Sequence, residues 1–342
     1  MTLTSSAETA TADQGAARAA AQAASRRRTA RFRSVGRTLV GAIITLWGTA
    51  TVAFFAQLAL PGDRATTIFN IRAGQMEQRT PEELAPINEA YGLLNPVWRQ
   101  YLDYMRGLVA GDLGLSYQQF RPVVDIIGEQ LPATFALSIT AIAIAWVIML
   151  IWVPLTAGRS RRIRALGALA DTTAAGLPHY WIGILLLVVF AATLGWFPVI
   201  SGSQPAGLFL PALTLAIPLA GFLGQSTRTA FENTLRQPFI ITARMRGMSD
   251  SQTRIRHVLR HSILPAITLS GWALGATMSG AVVVESVYSR QGIGTVLINA
   301  VNSQDLPIVT GAVVLIAAFY VLANVLVDIV YTLVDPRMEK SA

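Results

Sequence analysis

The sequence predicts an all-α membrane protein with six transmembrane helices, both termini in the cytoplasm, and a small helical lobe on the opposite, extracytoplasmic face. Three observations predict it. The 342-residue chain is 53% hydrophobic and only 13% charged, too apolar and too sparsely charged for a soluble domain. Six apolar runs, near 37–60, 133–157, 166–194, 208–227, 266–288 and 308–334, are long enough for a helix to cross a hydrocarbon core about 30 Å thick. Most of the 27 Lys and Arg fall before the first run, between the second and third, and between the fourth and fifth, which assigns those segments to the cytoplasm. The net charge of +8 is therefore mostly topology and does not point to nucleic acid.

Residues 1–35 are rich in Ala, Thr, Ser and Gln and then basic at Arg26–Arg28, Arg31 and Arg33. With so little bulky apolar surface they read as a disordered or surface-lying tail. A signal peptide shares the basic-then-apolar order, but the apolar run that follows, about 24 residues, is too long for one and no small-x-small cleavage site follows it. Residues 36–60 are accordingly the first span.

The segment 61–130 is the one extended polar region and reads as short helices. Thr80 to Glu83 has capping-box spacing with Pro81 at the first helical position. Asn95-Pro96 opens a second helix carrying Val97, Trp98, Tyr101, Leu102 and Met105 at helical spacing, and Gly111 to Gly114 ends it. Arg121-Pro122 leads into a third short helix near 123–130. The lobe has no His or Cys, and capping accounts for Glu82 and Glu83, so it offers no catalytic constellation.

Residues 131–338 hold the remaining five spans. In the third run only Tyr180 to Leu194 is cleanly apolar, and fifteen residues are too few to cross, so the span is extended back to about Leu166. Pro178, Pro211 and Pro218 predict kinks. The absence of cysteine excludes disulfides, thiolate metal sites and cysteine catalysis. His257 and His261 stand four apart, a spacing that can bind zinc, yet no third ligand stands beside them and there is no HExxH pattern, so no metal site is expected.

Ionisable residues inside spans are costly and point to function by default. Asp171 and Asp328 lie within reach of an interface or of a neighbouring charge and read as structural. Glu285 is open between a structural role and one facing a translocation path. Gln225, Ser226, Trp272, Thr277, Ser279 and Glu285 are the polar or amphipathic groups on spans four and five that could line a wet cavity, although helix–helix hydrogen bonding accounts for Ser and Thr equally well.

Between spans four and five, residues 238–265 form a polar basic loop with a glycine at its centre, Ile241 to Asp250, then Arg254, Arg256 and Arg260, then Leu264-Pro265. Gly247 permits a short helix to turn sharply into the next. The arginines, with Arg244 and Arg246, offer guanidinium forks to a partner. A solvated positive-inside loop is the plainer reading, but the glycine spacing and Leu264-Pro265 favour a docking surface.

From about residue 36 to 338 the chain resembles the permease subunits of binding-protein-dependent ABC importers, specifically the dipeptide, oligopeptide and nickel permease family. The resemblance is carried by Tyr91-Gly-Leu, Tyr101, Gly111-Asp-Leu-Gly-Leu-Ser116, Pro122-Val123 and Pro132-Ala-Thr134, then Pro178-His-Tyr-Trp-Ile-Gly183, Leu194-Gly-Trp-Phe-Pro198 and Leu210-Pro-Ala-Leu213. It continues through Thr242-Ala-Arg, Gly247 and Leu264-Pro265, then Glu285-Ser-Val-Tyr, Gly292-Ile-Gly294, Asp305-Leu-Pro307, Asn324, Asp328, Tyr331 and Asp335-Pro-Arg337. Three positions depart from the family pattern: Thr242 stands at the coupling motif's glutamate position, Gln291 where a proline usually precedes the glycines, and Arg64 where a proline is common. The tail before residue 30 lies outside the resemblance.

The resemblance implies the type I importer permease fold in a bacterial cytoplasmic membrane. It also implies a partnership with a second homologous permease, one or two cytoplasmic ABC ATPases and an extracytoplasmic binding protein. Thr242, Ala243, Arg244, Arg246, Gly247, Met248, Ser249, Leu264 and Pro265 would then form the ATPase-coupling site. The chain has no GxxxxGK[ST] loop, so ATP and Mg would sit on the partner ATPases and this chain would be non-catalytic, with no cofactor of its own. Peptides are the implied cargo, with nickel or another small solute as the alternative. A secondary transporter would need midplane ionisable groups or repeated broken helices, and an intramembrane protease a buried catalytic set, neither of which the sequence displays.

Overall fold

The computed structural model describes residues 36–334 apart from Met76 and Ser203, and for 205 and 327–334 the backbone alone. The tail 1–35, the side chains of Asp328 and Tyr331, and Asp335 to Arg337 lie outside the described residues. Helix α1 spans Gly36–Ala59. The chain divides after Gly48. In the first unit, residues 36–48 present Leu39, Val40, Ile43, Ile44 and Trp47 outward, a surface suited to lipid rather than water.

The second unit begins at Thr49. Its lobe contains α2 (Arg64–Ala73), α3 (Pro81–Ala90) and α4 (Val97–Ala110). Sequence reasoning missed α2, although its signal is present: the Asp63 carboxylate accepts from the Thr66 N–H at 2.8 Å, an N-cap. The capping box that opens α3 forms as expected, with Thr80 accepting from the Glu83 N–H and Glu83 accepting in return from the Thr80 N–H. Gly111, at φ +80°, closes α4. Ala65, Ile68, Ile87 and Tyr117 make the lobe's own small core.

Helix α5 runs unbroken over 34 residues, Val123–Thr156, about 51 Å at 1.5 Å per residue. The expected short helix at 123–130 is thus not separate but the first two turns of span two. Pro132 removes one hydrogen bond without ending the helix, because Val123, Ile126 and Ile127 are held in a core with Ile293 and Ile308.

The third run also departs from expectation. It is two helices, α6 (Arg161–Gly176) and α7 (His179–Leu186, continuing as a π-helical turn Leu187–Thr193), bent by 101°. The cause is local: Pro178 disfavours the helical conformation for Leu177, whose backbone is extended. A fold this sharp is more than a kink, and the continuous span 166–194 is corrected to this bent pair.

Helix α8 covers Phe209–Leu235, eight residues past the expected end. Pro211 falls in its first turn, where the missing N–H costs no bond, and does not interrupt it. After α8 come α9 (Pro238–Met245), α10 (Asp250–Thr253), a π-helical turn Arg254–Leu259 and α11 (Arg260–Ser262). Helices α12 (Leu264–Val287), α13 (Ile293–Asn302) and α14 (Leu306–Val334) complete the order. Among the described residues, five helices are long and apolar enough to cross a membrane, and six spans result if the bent pair counts as one.

Two further cores hold this bundle. Met149, Val153, Leu223, Phe231, Ile240, Val258 and Ala266 pack together at one end, and Leu137, Leu210, Leu215, Val284 and Tyr288 at the other. The lobe is clamped onto the start of α14 by Asp305. Its buried carboxylate accepts from Ser116 Oγ at 2.5 Å and from the N–H groups of Tyr117 at 3.1 Å and Gln118 at 3.2 Å. One carboxylate thus takes three donors of the turn after Leu115, and Ser116 Oγ takes a fourth, the Gln119 N–H at 2.9 Å.

Candidate functional site

The coupling segment is built as a helix, a turn and a second helix. Pro238 starts α9 with the φ a first helical residue needs. Ile240 points into the core that Phe231 and Val258 share, and Ala243 is buried on the same side of the helix, while Ile241, Thr242, Met245 and Arg246 face outward. Gly247 sits at φ +81° with nothing within 4 Å of where a Cβ would stand, so the turn needs glycine for its backbone and not for space. Ser249 then caps α10, accepting from the Gln252 N–H in a second capping box.

Asp250 gathers the segment. It takes Arg159 at 2.9 Å, Arg244 at 3.4 Å and Arg254 at 2.7 Å. Burial alone would push its carboxyl up, but the Arg254 hydrogen bond and the charges of Arg254, Arg159 and Arg244 hold it below the usual carboxylate range. The guanidinium of Arg254 is 4% exposed and donates to the carbonyls of Pro154 at 3.2 Å, Ala157 at 2.6 Å and Gly158 at 3.2 Å. It closes the C-terminal end of α5, where unsatisfied carbonyls favour a cation.

This corrects one expectation. Arg254 is not a free fork for a partner but a brace between the coupling segment and span two, and Arg244 is engaged with Asp250. Arg246, Arg256 and Arg260 are exposed and make no ion pair among the described residues. His261 lies against Phe239, ring centroids 5.1 Å apart, and Leu264 and Pro265 open α12, with Leu264 43% exposed. Among the described residues no three His, Asp or Glu side chains converge as metal ligands would. Arg254→Lys should keep the charge, lose the fork and cost about 1–2 kcal/mol, read as a lower unfolding midpoint in detergent; an unchanged midpoint would remove the brace from the account.

The path candidates do not share one face. Gln225, Ser226 and Ser279 reach the surface, whereas Thr277 is buried and donates to the Leu274 carbonyl of its own helix. The Gln225 amide reaches the Asp171 carbonyl at 3.3 Å, and Trp272 lies against Phe222 at 4.7 Å between centroids. Glu285 is fully buried. Its carboxylate accepts from Thr134 at 2.7 Å and from the Gly294 N–H at 2.8 Å, while Thr134 accepts from the Ile293 N–H at 2.9 Å. Of the two readings left open for Glu285, these contacts support the structural one: it caps α13 and ties it to α5 and α12.

Asp171 is structural too, but the charge that pairs with it is not a neighbour in sequence. Arg228, 57 residues on, donates from Nε to Asp171 at 2.7 Å and from Nη2 to Thr156 at 2.8 Å. Both charged residues are buried, at 3% and 6% exposure. A signal for Arg228 existed: Leu223, Phe231 and Leu235 lie on one helical stripe that carries the helix past the charge.

Comparison with known proteins agrees with this architecture. Residues 151–340 match the family described as the binding-protein-dependent transport system inner membrane component, and residues 31–138 match its N-terminal membrane component. The glutathione transport system permease protein GsiC of Escherichia coli (strain K12) is 30% identical over 309 residues, 88% of this chain and 97% of that protein. GsiC of Salmonella typhimurium (strain LT2) is 30% identical over 305 residues with the same coverage. A chain from the crystal structure of an amino acid ABC transporter with histidines aligns with a TM-score of 0.45 at 18% identity, over 63% of this chain and 94% of that one. Family matches over both halves, on an all-helical bundle with five to six candidate spans, identify the chain as a member of the binding-protein-dependent transport system inner membrane components, a non-catalytic permease of the peptide and nickel group of ABC importers.

Proposed function

We propose that this permease forms the pathway for small peptides together with a second, homologous permease, and that residues 238–265 couple it to one or two cytoplasmic ATPases. Membership in a binding-protein-dependent system implies a binding protein and an ATPase as partners; the stoichiometry, the docking site and the cargo belong to the proposal. The docking reading rests on the two-sidedness of α9. One face is anchored through Ile240 and Ala243, while Ile241 at 59% exposure and Met245 at 84% stand outside beside Arg246. An anchored helix with an uncovered apolar and basic face can seat in a moving partner and pass its motion into the bundle as a rigid-body shift. Peptide cargo is favoured because the similar GsiC proteins are named for glutathione, a peptide. Nickel is the alternative.

Gly247→Trp tests the docking site. The Cβ of the new side chain starts in open space, and the left-handed backbone costs about 1–2 kcal/mol, so the protein should insert and stay monodisperse. Copurified ATPase and ATP-driven uptake in proteoliposomes should fall about ten-fold or more. If both stay unchanged, the coupling helix lies elsewhere. Competition between labelled dipeptide and nickel in the same assay decides the cargo.

A further inference from the structure

Where α6 begins and α8 ends, Arg161, Arg164, Arg228 and Arg236 line an open cavity of about 380 Å³, with Ala168 in its wall and Glu232 the one acid among the lining groups. Asp171 neutralises Arg228. Arg161, Arg164 and Arg236 make no ion pair among the described residues, so the cavity is left strongly basic. Three further features point to an anion. First, Arg161, Arg162 and Arg164 occupy the first turns of α6 with no acid there and no side-chain cap on Ser160, although a helix N-terminus disfavours cations and favours anions. Second, Arg228 is 6% exposed, yet its Nη1 has no hydrogen-bond partner. Third, that nitrogen lies against α6 at Gly167, 2.8 Å from where a Cβ would stand, one residue before Ala168 of the cavity wall, so the positive charge is held behind that wall. A buried guanidinium nitrogen left without an acceptor calls for one.

We propose that this cavity holds the phosphate of an anionic glycerophospholipid, such as phosphatidylglycerol, in the leaflet facing the basic loops. Free phosphate would meet the same arginines, but the adjoining surface favours a lipid. Ile163, Leu166 and Leu169 stand at 44%, 63% and 63% exposure on α6 at three-residue spacing, an apolar strip on which acyl chains can lie next to the arginines. Helix α6 runs from the cavity along α8 as far as Gly221, which meets the backbone of Asp171 and Ala175. The cavity thus lies at the end of α8 beyond the apolar run 208–227, the depth at which headgroups meet basic side chains. Bound there, the phosphate would join the start of α6, through Arg161 and Arg164, to the end of α8, through Arg236.

The test uses the full-length protein with whatever subunits it retains, delipidated in detergent and titrated with phosphatidylglycerol or phosphatidylcholine, the adducts being read by native mass spectrometry. Phosphatidylglycerol should bind about ten-fold more tightly. Arg161→Gln with Arg236→Gln, two unpaired side chains, should bring it close to the phosphatidylcholine level. The charge-matched control Arg99→Gln with Arg106→Gln, in the lobe, should retain the preference. An unchanged preference in the cavity variant overturns the proposal. So does displacement of the lipid by excess inorganic phosphate, which would assign the cavity to the free anion.

Discussion

Asp171→Ala is expected to destabilise the protein by about 3–5 kcal/mol, because it leaves the Arg228 charge buried and unpaired. The two side chains meet at 2.7 Å with almost no solvent contact, and the helices close tightly around them. A Cβ on Gly224 would stand 2.9 Å from the Asp171 carboxylate, and one on Gly221 would stand 2.6 Å from the Asp171 carbonyl. The paired change Asp171→Leu with Arg228→Met, similar in volume and uncharged, should recover most of the loss. Unfolding in mixed micelles reads both variants. A single-variant cost below about 1 kcal/mol would mean that the pair does not hold these helices together.

Glu285→Ala should cost about 3 kcal/mol or more, since Thr134 and the Gly294 N–H lose a buried, charge-assisted acceptor together. Glu285→Gln keeps an acceptor in place and should cost less. Gly294→Ala should match the alanine variant at 285, because the added carbon would run into the backbone of Val282, which cannot swing aside as a side chain can. Stability and uptake measured side by side separate the two roles considered for Glu285. If Glu285→Ala keeps its unfolding midpoint but loses transport, the carboxylate belongs to the path and the capping account fails.

Local signals were legible from the chain alone. The Thr80–Glu83 capping box and the Gly247 turn both depend on residues within a few positions of one another, and the structure contains both. The boundaries of α5 and α8 were not legible. Pro132 opposes a continuing helix and Arg228 ends the apolar run, and packing of Val123, Ile127 and Phe231 against distant helices carried both helices through. The bend after α6 was legible as to its place, Pro178, but not as to its size, which depends on what α6 and α7 each pack against.

The same division holds for the charged groups. Arg254 in the coupling segment read as a donor to an outside partner because, apart from Asp250 one turn back, nothing near it in sequence demands it; the carbonyls it satisfies lie about a hundred positions back, at Pro154 and Ala157. The sequence by itself determined that this is a helical membrane protein, which loops face the cytoplasm by charge, and which segments can turn or cap. Those properties follow from apolar run length, loop charge and short-range backbone chemistry. Only the tertiary structure decided which buried charges are structural, through Asp171 with Arg228, Glu285 with Thr134, and Asp305 with Ser116, pairs that lie 57, 151 and 189 residues apart. A charge in a low-dielectric bundle must find its partner in space, and helix packing sets that distance where sequence spacing does not.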